Sequence, residues 1–212
     1  MWLGMAVLSL STASASEPVA APKIINGQEA VAGEYPMTGG LLMGGTVSFG
    51  GNEQDVRLFT CSSTLIAPDV VLLAAHCLDT YALTFGIAEV SNLDFRWSRQ
   101  SDLSAHDGSE IAEWPEDTVQ AWDWVGHPGF DLQGMGLGLA ENNDIALLFL
   151  EEPVLDVEPA YLIAEEEVDQ LLEGSEVDVV GWGQQVATDF LETPPEGSYG
   201  HKYAGTSWIS EL

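Results

Sequence analysis

The sequence predicts an all-β protein, and three observations carry that prediction. Its apolar residues fall in short runs of strand length, the runs are separated by Gly, Pro, Asn and Asp, and convincing helical periodicity is scarce. A chain of 212 residues that is 46% hydrophobic is long enough to bury a real core, in one domain or two small ones.

The runs are "GLLMGGTVSFGG", "VRLFTCSSTLIA", "DVVLLAA", "YALTFGIAEV", "DIALLFL" and "VDVVGWG". Punctuation of this kind belongs to a sandwich or a barrel. Between them, the stretch from Arg99 to about Gly138 is a long polar and aromatic insertion, predicted to form surface loops. Its Trp114, Trp122 and Trp124 are expected to pin it to the core. The acidic "EEEVDQLLEG" at 165–174 is a short turn of helix or a loop.

The first fifteen residues, "MWLGMAVLSLSTASA", are uncharged and apolar and close with Ala13 and Ala15 in the A-x-A positions of a signal-peptidase site. They predict a secretory signal over 1–15, too short for a stable membrane anchor and followed by no Cys that a lipid would modify. Export brings Cys61 and Cys77 into an oxidising compartment, where the two can pair.

Charge excludes further classes. The chain carries 34 Asp and Glu against 5 Lys and Arg, a formal net charge of −29, and 24 of those carboxylates lie between Arg99 and Lys202 with no Lys or Arg among them. Such a surface repels phosphate backbones and anionic membranes, so no nucleic-acid partner is expected. The acid is read as solvation that depends on cations to mask its self-repulsion.

Acyl transfer at neutral pH needs a base that takes a hydroxyl proton and a buried carboxylate that fixes the base's tautomer. His76 follows the apolar "DVVLLAA", with small Ala74 and Ala75 beside it and Cys77 next in sequence. Asp144 opens "DIALLFL", where the chain enters the core and a carboxylate needs a donor such as a His Nδ1–H. Singly, each residue type is more often structural: a hydrogen-bonded His, or an Asp in a turn.

Their contexts decide. "CSSTLIAPDVVLLAAHC" and "NNDIALLFLEEPV" resemble the signature segments of the trypsin and chymotrypsin family of serine endopeptidases. "KIINGQEA" is similar to that family's activation junction, "HPGF" at 127–130 to the segment before its Asp, and "VVGWGQ" to the strand entering its second barrel. The resemblance implies a trypsin-like double antiparallel β-barrel with the catalytic residues at the cleft between the two barrels. It implies that His76 is the general base, that Asp144 orients it, and that Cys61 pairs with Cys77. It also implies a zymogen, activated by a protease that cuts after Lys23 and frees the Ile24 ammonium. The expected organisation is a signal peptide over 1–15, an activation peptide over 16–23, a first barrel with the acidic insertion over 24–155 and a partial second barrel over 156–212. Expected partners are protein or peptide substrates; no cofactor is expected. A metal site built from His76, His106, His127 and His201 fails on spacing, because no pair shows a short ligand interval.

Three positions depart from the family pattern. Leu73 stands where the family usually has Thr, and Ser62 and Ser63 stand where it usually has two glycines. Asp144 follows His76 by 68 residues, against about 45 in the family's chain order, which places the insertion at the rim of the cleft. The nucleophile is expected about 90 residues after the Asp, near position ~234. No Gly-Asp-Ser-Gly-Gly run occurs in the sequence, and neither Ser175 nor Ser207 has the glycine-flanked turn that lifts a nucleophile into a cleft. The expectation is therefore a C-terminally truncated, secreted endopeptidase with an incomplete second barrel. The alternative is a non-catalytic relative that binds proteins through the same cleft.

Overall fold

The structure is a computed structural model and describes residues 27–80, 84, 86–108, 110–131, 143–168, 174–183 and 200–209. The proposed signal and activation segments, with Lys23 and Ile24, lie outside the described residues.

Strands β1 (Gln28–Glu29), β2 (Thr38–Phe49), β3 (Asn52–Ala67), β4 (Val70–Leu73), β5 (Glu89–Ser98), β6 (Val119–Gly126), β7 (Ala146–Leu150), β8 (Glu176–Gly181) and β9 (Tyr203–Trp208) dominate the fold. A four-residue helix, α1 (Glu165–Val168), forms at the start of the acidic run. Six strands close a barrel in the order β2-β3-β4-β7-β6-β5, and three more form a second sheet in the order β1-β9-β8. Every pairing is antiparallel.

The barrel follows from period-2 alternation. In β7 the residues Ala146, Leu148 and Leu150 point inward, and in β4 Val71 and Leu73 do. Along β2, Leu41 and Met43 enter the main core, while Leu42 turns to a second cluster with Leu103 and Trp182. Both faces of β2 are thus covered, which explains why it reads as a nearly continuous apolar run. Burial of each such Leu or Phe side chain contributes about 1.5–3 kcal/mol. The β2–β3 hairpin turns at Gly50 and Gly51, both at positive φ (58° and 84°), as a tight two-residue loop requires.

Two expected elements differ. The run "YALTFGIAEV" is not one strand: the Thr84 carbonyl accepts from the Ile87 amide in a turn, and strand β5 begins at Glu89. The inward side chains of β5 are Phe95 and Trp97, fully buried in the core. The insertion after Arg99 is not loop throughout either, because β6 lies inside it and supplies a barrel strand between β5 and β7. A register shift between Ala121 and Asp123 breaks its alternation and masks the strand in the sequence.

Its tryptophans divide. Trp124 packs edge-on against Phe95 at 4.9 Å. Trp114 reaches the second cluster, stacked on His106 and flanked by the guanidinium groups of Arg57 and Arg96, each 4.9 Å from its ring. Trp122 rests on Phe149 but remains 63% exposed.

The second sheet docks through a few groups. Strand β1 pairs with β9, so Gln28 and Glu29, which precede the barrel strands in sequence, belong to this sheet. Fully buried Trp182 donates its indole N–H to the Gln100 carbonyl at 2.9 Å and its amide to Ser62 Oγ at 3.0 Å. Lys202, 3% exposed, donates its ammonium to the carbonyls of Glu34 and Tyr35 (2.7 Å each) and Thr38 (3.2 Å), with Trp182 beneath it at 5.1 Å.

Candidate active site

The strand pairing solves the problem of bringing together two residues 68 apart. Strands β4 and β7 are antiparallel neighbours in which Leu73 faces Ala146. The residues that follow β4 and those that precede β7 therefore emerge at the same end of the barrel. His76 sits in the 3₁₀ turn Ala75–Cys77 just beyond β4, and Asp144 lies two residues before β7.

Asp144 grips His76 twice. One carboxylate oxygen accepts the His76 backbone N–H at 2.8 Å, and the other accepts the ring Nδ1–H at 2.6 Å. Burial works against the ionised carboxyl. The hydrogen bonds from the His76 ring and amide, the His76 charge and the Ala75 amide more than offset it, holding the Asp144 pKa below the usual carboxylate range. The bond fixes Nδ1 as the protonated nitrogen and leaves the Nε2 lone pair free. The His76 side chain is 37% exposed and that of Asp144 only 15%, so the imidazole is reachable while the carboxylate is sheltered.

Two local devices hold this geometry. Cys77 is bonded to Cys61 of β3, which staples the 3₁₀ turn to the barrel wall. On the other side the HPGF turn braces the approach to Asp144. The Phe130 amide bonds the His127 carbonyl at 2.9 Å, the His127 amide bonds Ile145 O at 2.8 Å, and the Asn143 side-chain amide bonds Gly129 O at 3.1 Å.

The departures from the family pattern have structural roles. Leu73 is buried in the main core. Ser63 Oγ donates to the Gly39 carbonyl at 3.0 Å and is satisfied within the wall. Ser62 accepts the Trp182 amide, and the close approach needs a glycine opposite: a Cβ on Gly181 would lie 2.8 Å from Ser62 Oγ. Nothing in the sequence pattern pointed to this contact between Ser62 and the second sheet.

The four histidines do not converge. His106 is stacked on Trp114 and bonds the Glu113 carbonyl, and burial holds its pKa below the ordinary value. His127 Nδ1 accepts the Gly129 amide, and His201 Nδ1 lies 3.6 Å from Asp102. Ser207 is a strand residue of β9 facing Val177 of β8, and Ser175 immediately precedes β8.

A closed barrel with a His–Asp pair at its rim, a disulfide beside the His and a second sheet docked alongside is a trypsin-like arrangement. The family model for trypsin matches residues 24–197, and the chain belongs to that family. It is similar to the vitellin-degrading protease of Bombyx mori, 26% identical over 178 residues, a match that covers 84% of this chain and 54% of the relative. It is also similar to phenoloxidase-activating factor 3 of Holotrichia diomphalia, 27% identical over 164 residues, covering 76% of this chain and 42% of that protein. The chain thus spans about half the length of these curated relatives. The solved structure of GrC shares the fold, with a TM-score of 0.53 at 18% identity over 88% of this chain and 65% of that one.

Proposed function

We propose that the chain is the His–Asp half of a secreted serine endopeptidase made as a zymogen, with the nucleophile supplied by sequence outside these 212 residues. The observation that carries this reading is the paired grip of Asp144 on His76, which orients the imidazole with Nε2 available. His76 Nε2 takes the proton of the attacking hydroxyl and later returns it to the leaving amine, while Asp144 steadies the imidazolium formed in between. Substrates are proteins or peptides. An activating protease cuts between Lys23 and Ile24. Secretion is supported by the apolar leader with its A-x-A close and by the Cys61–Cys77 bridge; among the described residues no helix is long and apolar enough to cross a membrane.

The reading is tested with a serine-directed fluorophosphonate and a peptide substrate. The 212-residue chain is expected to remain unlabelled, and the product of the extended reading frame to be labelled and active. In that product His76→Ala should lower kcat by about 10⁶-fold and Asp144→Asn by about 10⁴-fold. Labelling of the 212-residue chain would place a nucleophile inside it. An extended product that is neither labelled nor active would favour the protein-binding relative instead.

A further inference from the structure

We propose that Cys61, Cys77 and His76 form a latent zinc site that opens when their disulfide is reduced. One donor atom from each of the three residues lies within 4.8 Å of the others, and Cys77 Sγ is 3.5 Å from His76 Nε2. Zinc holds thiolate sulfur at about 2.3 Å and imidazole nitrogen at about 2.0–2.1 Å, so the donors around one tetrahedral ion are roughly 3.5–3.8 Å apart. The His76–Cys77 pair already has the spacing of one such edge. With the two Cys Cα atoms 6.1 Å apart, side-chain rotation brings the separated sulfurs to the second.

What lies behind the imidazole fits as well. Asp144 accepts the Nδ1–H at 2.6 Å, the carboxylate–histidine arrangement that fixes the ring and leaves Nε2 for a metal. Two thiolates and one imidazole are a donor set that keeps the fourth position of zinc open. The half-exposed edge of His76 provides the entry path, whereas Cys77 is buried.

The chemistry balances with a phosphine or dithiol as reductant. The S–S bond breaks and two S–H bonds form: a dithiol supplies two electrons and two protons and closes to its own disulfide, whereas a phosphine supplies the electrons, water supplies the protons and its oxygen leaves in the phosphine oxide. The arriving Zn²⁺ then displaces both thiol protons to solvent and takes the Nε2 lone pair. The site stands whether or not the chain hydrolyses peptides. In an active enzyme, the ion would occupy the lone pair that accepts the nucleophile's proton, making reduction plus zinc an off switch.

The test uses the full 212-residue chain at neutral pH, with excess Ca²⁺ to mask its carboxylates and a chromophoric chelator competing for Zn²⁺. The phosphine-reduced chain should take up one Zn²⁺ and the disulfide form none. Co²⁺ in the same site should give a thiolate charge-transfer band together with tetrahedral ligand-field bands. Asp144→Asn should weaken the affinity about 10- to 100-fold, and His76→Ala at least as much. Zn²⁺ should raise the melting midpoint of the reduced chain but not that of the Cys61→Ser/Cys77→Ser variant. No uptake by the reduced chain would overturn the proposal, as would equal uptake in both redox states. So would reduced-state uptake that His76→Ala leaves unchanged, since thiolates of an unfolded chain would then suffice.

Discussion

The closed barrel and the second sheet are held by different means. The barrel has a contiguous apolar core of Leu41, Met43, Leu65, Val71, Phe95, Trp97, Leu148 and Leu150, enclosed by six strands in a closed ring. The three-stranded sheet contributes Trp182 to a small cluster and otherwise docks by hydrogen bonds, through Ser62, Gln100 and the three carbonyls that receive Lys202. Both members of the His–Asp pair stand at the rim of the barrel. The difference teaches that His76 and Asp144 are brought together by the barrel and its hydrophobic core, while the second sheet docks beside it through a small apolar cluster and a polar seam.

The largest effect that would break this comparison is in the cores themselves. Leu148→Ala should cost about 2–5 kcal/mol, whereas Val179→Ala, on a half-exposed position of β8, should stay near 0.5 kcal/mol. Urea midpoints read both, and similar losses would mean that the two regions share one core. Next comes the staple. Replacing both Cys61 and Cys77 by Ala should cost roughly 3 kcal/mol by loop entropy, measured in the same way; an unchanged midpoint would show that the barrel alone holds the His76 turn.

A smaller effect isolates the seam. Ser62→Ala removes the acceptor of the Trp182 amide and should cost about 1 kcal/mol. It should also speed hydrogen exchange in β8 and β9 more than in β4 and β7; uniform acceleration would argue against a separate seam.

The finest test is the pH dependence of Lys202. Burial lowers its pKa from the ordinary 10.5 to about 8 in the folded chain, with Glu34 opposing that shift and Arg99 adding to it. Between about pH 8 and 10.5 the unfolded chain therefore binds more protons at this site than the folded one. Across that window the stability of the natural chain should rise with pH relative to Lys202→Met. A parallel pair of stability curves would show that the ammonium is not desolvated.

Much of this arrangement was legible in the residues. "DVVLLAA" and "DIALLFL" each form a strand from a short continuous apolar run, and the pairing of the two strands juxtaposes His76 and Asp144. The pairing of Cys61 with Cys77 followed from the family resemblance. Strand β6 was hidden because its register shift and the exposed Trp122 and Asp123 interrupt the period of two. In β5 the alternation of Leu93, Phe95 and Trp97 is present in the sequence, but the more hydrophobic "YALTFGIAEV", which overlaps only its first two residues, is the stronger local strand signal. The Ser62–Trp182 bond and the burial of Lys202 join residues more than a hundred positions apart, and no local pattern encodes them.

The most direct test of the central claim, that the barrel preorganises His76 through Asp144, is ¹⁵N-edited NMR of the histidine side chains in the 212-residue chain above neutral pH. The account predicts that His76 is protonated at Nδ1 with a strongly downfield, exchange-protected proton, that Nε2 carries none, and that Asp144→Ala abolishes this signal. A His76 ring protonated at Nε2, or a signal indifferent to Asp144→Ala, would contradict it.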